Sequence, residues 1–247
     1  MKKGPLGQDA PVNDSRPSIR TAPFLEGPPI LRLTAREREH LASIATIMRV
    51  PAGTILCHAG QPAKAVFSVT SGTLASYRER RDGTRKILGF LFAEDLFGLA
   101  RAGKYVNSVK AITPSVLFQM PTESLAALLR HDGALQFRFL CKTTQVLRDA
   151  QRQALMMTVR DPVERVAVFL SMLEDAQGEK HKKDTPISIP MTRQDVADYL
   201  NLPSGSVRAA VEALEDRGLV RRVPPDGIAI VDRAGFTALV EGEPEDD

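Results

Sequence analysis

The segment Met-Thr-Arg-Gln-Asp-Val-Ala-Asp-Tyr-Leu-Asn-Leu-Pro-Ser-Gly-Ser-Val-Arg-Ala-Ala-Val-Glu-Ala-Leu, residues 191–214, leaves this chain little choice of local fold. Thr192 with Asp195 makes an N-capping pair, and Val196, Ala197 and Leu200 form the inner face of a first helix. Ala197 is small enough for a second helix to cross closely. Asn201 stands where the chain must turn sharply, and asparagine tolerates a left-handed backbone better than any residue but glycine. Leu202 plugs the corner, Pro203-Ser204 starts the second helix, and Val207, Val211 and Leu214 face inward. Arg217-Gly218 stops it. Two strands, 219–223 and 228–231, then flank the turn Pro224-Pro225-Asp226-Gly227 as a wing. Together these signals predict a winged helix-turn-helix, with a plain helical hairpin as the alternative.

Upstream the pattern changes. Residues 1–29 carry prolines at 5, 11, 17, 23, 28 and 29 and few aromatics, a composition that cannot offset its ordering entropy; a mobile arm is expected. A short helix is predicted over 34–48, capped by Thr34 with Glu37 and carrying Leu41, Ile44, Ala45 and Met48 on one face. From Val50 to Met120, β-rich runs at 54–56, 66–70, 73–80, 85–91, 108–112 and 116–120 alternate with glycines, as in a small antiparallel roll or barrel. Arg81-Asp82-Gly83-Thr84 suits a tight primed hairpin turn, an ordinary loop being the alternative.

Residues 122–157 contain neither glycine nor proline except Gly133, and Leu140, Leu147 and Ala154 recur every seven residues, flanked by Leu135, Phe139, Val146 and Met157. A helix of about 25 residues with such a seam outruns its own small domain, and a second copy of the same helix would cover it. Packing against the roll alone is the other way to cover it. Asp161-Pro162 begins another helix, with Val163, Val166, Ala167 and Leu170 on one side, ending near Gly178 before a polar loop. The predicted fold class is α+β, divided as an arm (1–29), a β-roll sensor (30–121), a dimerisation helix (122–158) and a winged helix-turn-helix (159–247).

Composition narrows the function. No stretch approaches the roughly 18 apolar residues that a membrane span needs, and the N-terminus has no apolar signal core after its lysines, so a cytoplasmic protein without a membrane partner is expected. The four histidines (His40, His58, His131, His181) lie far apart, and no phosphate loop, nucleophile elbow or metal-ligand spacing is present, so no enzyme, catalytic residue or metal is expected. The net charge of +3 is asymmetric: residues 159–247 hold 11 basic and 18 acidic residues, leaving about +10 on the rest. Two isolated cysteines, Cys57 and Cys141, make no disulfide framework. No cofactor is expected; Cys57-His58 could in principle supply a redox thiol or a haem ligand, against the simpler reading of inert thiols.

On Gly53, Gly60, Ser71-Gly72, the Asp-Gly hairpin, Asp95-Leu96-Phe97-Gly98, Asp161-Pro162-x-Glu-Arg165-Val166-Ala167 and the 191–200 entry to the helix-turn-helix, the chain resembles the CRP/FNR family of bacterial regulators, most of all its FixK-like and FNR-like branches, over about residues 45–232. The resemblance implies a cyclic-nucleotide-binding-like roll, a homodimer, double-stranded DNA as partner, and contact with RNA polymerase. It implies phosphate contacts at Arg193, Gln194 and Ser206, with Ser204, Arg208, Arg221 and Arg222 nearby. The family reads bases with an acid and an arginine, and those positions here hold Gly205 and Ala209, with Arg208 where a small residue is usual. An atypical half-site is therefore expected, or alternatively an interaction protein that has kept the regulator fold and lost sequence-specific binding. The resemblance places an effector pocket around Gly98, Leu99, Tyr105, Asn107 and Ser108. Leu99 follows Gly98 where the family's cyclic-AMP site has an acid, and no arginine precedes Ser108, which argues against cyclic AMP. The arm lacks the cysteines with which the oxygen-sensing branch holds its iron–sulfur cluster.

Overall fold

The computed structural model describes residues 34–100, 102–177 and 185–241; the proline-rich arm, the acidic residues 242–247 and the polar loop 178–184 lie outside them. Helix α1 (Ala35–Ile44) starts at Thr34, whose side chain accepts from the Glu37 amide while the Glu37 carboxylate accepts from the Thr34 amide. The helix ends four residues earlier than the sequence suggested, because Thr46–Val50 is strand β1, paired antiparallel with Ser115–Pro121 (β8). Met48 thus belongs to the sheet: its helical spacing is overridden by a partner some 70 residues away in the sequence.

The roll is two antiparallel sheets face to face. One runs β1-β8-β3-β6, with β3 at Ala65–Ser71 and β6 at Leu96–Phe97; the other runs β2-β7-β4-β5, with β2 at Ile55–Cys57, β7 at Ser108–Ala111, β4 at Leu74–Glu79 and β5 at Arg85–Leu91. Alternate residues of both sheets meet in a core of Val50, Phe67, Val69, Leu74, Phe97, Val109, Ala111 and Leu117, with the Phe67 and Phe97 rings stacked at 4.8 Å. The β4–β5 hairpin turns less tightly than Asp-Gly suggested. Gly83 alone takes a positive φ, the Arg80 amide donates to the Thr84 carbonyl, and the Asp82 carboxylate ties down the Thr84 amide and hydroxyl. That is the longer, bulged type of hairpin loop rather than a two-residue primed turn.

The expected single helix over 122–157 is two: α2 (Thr122–His131) and α3 (Gly133–Met156), broken at Asp132, whose carboxylate accepts from the Leu135 amide and caps α3. Arg138 donates to the buried Glu37 at 2.6 Å and so fixes α1 against α3. Leu135, with no exposed surface, and Phe139 pack with Val66 and Met120 of the roll and Leu125 of α2.

The C-terminal part comprises α4 (Pro162–Gln177), α5 (Arg193–Leu200), α6 (Ser204–Asp216), the wing strands β10 (Val220–Val223) and β11 (Gly227–Ile230), and two elements unforeseen in the sequence. Strand β9 (Ile187–Ser188) widens the wing to three strands, and α7 (Arg233–Glu241) buries Phe236 and Val240 beside α4. This core continues into the roll. Ala75, Tyr77 and Ile87 of β4 and β5 join Val166, Phe169, Leu173, Tyr199 and Leu214 in one apolar cluster. The rings of Phe90, Phe169 and Tyr199 meet pairwise at 5.2 to 6.2 Å. The Lys86 ammonium donates to the Asp198 carbonyl and, at 3.4 Å, to the Asn201 side chain. Arg165 bonds the Val159 carbonyl on one side and the Leu200 carbonyl, at 3.1 Å, on the other, so the bend after α3 is tied to the end of α5.

Candidate nucleic-acid interface

The helix-turn-helix is built as its residues dictate. Thr192 caps α5 by accepting from the Asp195 amide at 3.1 Å, and Asn201 turns the chain with φ 54 and ψ 46. Val196, Ala197 and Leu200 of α5 meet Val207, Ala210 and Leu214 of α6 inside the apolar cluster, and Gly218, at φ 71, ends the second helix. The opposite face of α6 is left open. Ser204, Gly205, Arg208 and Ala209 are all exposed there, and a Cβ added to Gly205 would meet nothing within 4 Å.

The charges on this face are more constrained than the sequence implied. Arg208 Nε donates to Glu212 Oε1 at 2.8 Å, one helical turn on. Arg222 is drawn to Glu215 by its side chain and by its amide, and that bonding holds the Glu215 carboxyl below the usual carboxylate range. Arg222 therefore faces α6 rather than reaching freely outward, which qualifies its place among the predicted contact residues. Gln194 donates to Asp198 at 3.2 Å, and Ser206 is half-buried near the start of α6. Arg193 and Arg221 are exposed, with no acid paired to them among the described residues. Between Met191 and Val223 five basic residues face five acidic ones, so few counter-ions would be released on contact with a phosphate backbone.

The expected seam on α3 divides by face. Leu140 and Leu147 are 61% and 59% exposed, and Val146 and Ala154 are exposed with them. Leu135 and Phe139 are corrected to contacts within the chain, since they point into the roll. Met157 is half-buried against the C-terminal core and likewise leaves the seam. The structure adds Phe137 and Leu155, both exposed. Phe137, Leu140, Thr144, Leu147, Gln151 and Ala154 follow alternating steps of three and four, the spacing of one coiled-coil stripe. That spacing could have found Phe137 in the sequence.

Gly98, at φ 92, has the Ala65 carbonyl 2.7 Å and the Tyr105 ring 3.3 Å from where a Cβ would stand. The Tyr105 hydroxyl donates to the Ala65 carbonyl at 2.9 Å and accepts from the Ala65 amide at 3.2 Å. Burial pushes this phenol up, keeping it neutral and able to donate. Ser108 is committed to the Ala59 amide, Asn107 accepts from Arg78, and Leu99 is exposed. Tyr105 thus fills the space inside Gly98 with the chain's own side chain. Cys57 is buried, its thiol pushed up to about 11 by that burial, while His58 is exposed. A thiol in that state is a poor nucleophile or ligand at neutral pH.

Residues 47–132 match the cyclic nucleotide-binding domain family, and residues 164–239 match the Crp-like helix-turn-helix domain family. The chain is 29% identical over 206 residues to the transcriptional activatory protein AadR of Rhodopseudomonas palustris, covering 82% of this chain and 84% of that one. It is 25% identical over 218 residues to the transcriptional activator protein anr of Pseudomonas aeruginosa, covering 87% and 89%. Among solved structures, FixK2 from Bradyrhizobium japonicum superposes with a TM-score of 0.73 at 25% identity, over 79% of this chain and 97% of that one.

Proposed function

Because the chain belongs to the CRP/FNR family of transcription regulators, we propose that it acts as a homodimer on double-stranded DNA, with α3 as the seam and one α6 in the major groove of each half-site. The observation that carries this reading is the uncovered face of α6, held by the buried face of α5 and a left-handed Asn201. Two recognition helices set by a two-fold axis reach successive major grooves roughly 34 Å apart. Arg193, Gln194, Ser206 and Arg221 surround that face with phosphate contacts, while Ser204, Gly205, Arg208 and Ala209 lie closest to the bases. Without the usual acid and arginine at 205 and 209, the half-site departs from the family's common one.

No helix among the described residues is long and apolar enough to cross a membrane. A DNA regulator of this kind works in the cytoplasm, in contact with RNA polymerase, as the activator names of its relatives suggest. The Tyr105-filled roll argues for a signal other than a cyclic nucleotide. The self-paired Arg208 and Arg222 favour a second reading, a protein partner in place of DNA. Selection of a random duplex library with purified protein at fixed salt separates the two. An enriched two-fold symmetric site is the expected result, and no enrichment by folded, dimeric protein would overturn the DNA reading.

A further inference from the structure

We propose that Arg208 reads a guanine end-on in each half-site, with Glu212 as the positioning residue that aims it. This rests on the DNA-binding reading above and makes it more specific. Arg208 is the longest side chain on the open face of α6, with its side chain 65% exposed. Its neighbours on that face are Ser204, Gly205 and Ala209, side chains of at most one carbon and a hydroxyl. Such a floor lets the helix sit deep in the groove, because nothing else of comparable length holds it off. Arginine is then the group that arrives first at the base edges.

The bond to Glu212 decides how it arrives. Arg208 spends Nε on Glu212 Oε1 at 2.8 Å, and its two terminal amino groups make no hydrogen bond among the described residues. Those two groups form a planar fork that matches the O6 and N7 acceptors of guanine in the major groove. A phosphate could also accept the fork, but α6 carries no second cation in this stretch to build a phosphate clamp. Glu212 is one turn further along the same face, so it restricts the guanidinium without standing between it and the groove. Its hydrogen bond from Arg208 holds the Glu212 carboxyl below the usual carboxylate range, so the buttress stays ionised at neutral pH. Lysine in place of arginine would offer a point charge and no fork.

The test uses the full chain and the site enriched from a random library. Each conserved guanine is replaced by 7-deazaguanine, which removes the N7 acceptor, or by hypoxanthine, which keeps O6 and N7 and serves as the control. At one guanine per half-site, 7-deazaguanine is expected to weaken wild-type binding about 5- to 30-fold, the lower part of the range a bidentate pair commands, since O6 still accepts. Hypoxanthine there changes little. Arg208→Ala and Arg208→Lys are both expected to lose that sensitivity. Glu212→Ala is expected to lower the preference for guanine while binding to unrelated DNA stays equal or tightens, since an acid has been removed; Glu212→Gln, whose amide oxygen still accepts from Nε, restores the preference. A structural role for Glu212 would weaken all binding together and overturn that assignment. An enriched site without a 7-deaza-sensitive guanine overturns the proposal and leaves the regulator reading intact, as does an Arg208→Ala protein that weakens binding to every sequence alike with a salt slope reduced by about one. No enriched site from folded dimeric protein removes both.

Discussion

Replacing Leu140 and Leu147 together by aspartate is expected to turn the protein into a monomer in light scattering and to lower its affinity for a two-fold symmetric site by about a hundredfold or more. Both side chains are more than half exposed, and nothing among the described residues covers them. Their loss should therefore leave circular dichroism and the melting temperature of the monomer unchanged. Across a two-fold seam the same aspartates would face their own copies in a desolvated stripe, where each unpaired charge costs several kcal/mol. Once the dimer is lost, the second half-site is no longer held at high local concentration, and avidity of the order of 10² to 10⁴ disappears with it. A double variant that still scatters as a dimer would sink the assignment of this face. Leu135 makes the contrast: it has no exposed surface, so Leu135→Asp should damage the packing of α3 on the roll itself.

Phe169→Ala is expected to cost about 3 to 5 kcal/mol and to lower the melting temperature by roughly 6 to 20 °C. Phe169 is 2% exposed and lies between Phe90 of the roll and Tyr199 of α5, so its removal opens a cavity where two cores join. Replacing half-buried Phe90 loses less apolar contact and leaves each core complete, so Phe90→Ala should be milder. A shift of only a degree or two for Phe169→Ala, followed by calorimetry, would mean that the roll and the winged part do not share this core.

The helix-turn-helix was legible because its signals are local. Thr192, Asn201 and Gly218 each do what their own chemistry prefers, and the periodicity of α5 and α6 is short and strong. Strand β1 was hidden for the opposite reason. Thr46–Val50 continues the apolar rhythm of α1, and only its pairing with β8 makes it extended. The break at Asp132 was in fact signalled by Asp132-Gly133, a capping residue followed by a poor helix former, but the long apolar rhythm masked it.

Periodicity also gave the apolar positions of α3 without saying which way each faced. The helix has two apolar sides, one turned to the roll through Leu135 and Phe139 and one left open through Leu140 and Leu147. Helix α7 had a readable pattern in Phe236, Leu239 and Val240, with Asp232 placed to bond the Gly235 amide. At the interface, Arg208 and Glu212 could be paired from their spacing alone, whereas Arg222 and Glu215 meet only because the wing folds back on α6. The plug formed by Tyr105 depends on contacts 40 residues apart in sequence and had no local signal.

Hydroxyl-radical footprinting of the full-length protein on its selected site, with the protein-to-duplex ratio measured in the same complex, tests the central claim most directly. Two protected patches centred about one helical turn apart, roughly 34 Å, and two chains per duplex are the expected result. A single patch, or one chain per duplex at saturation, would contradict a symmetric dimer that presents two copies of α6 to DNA.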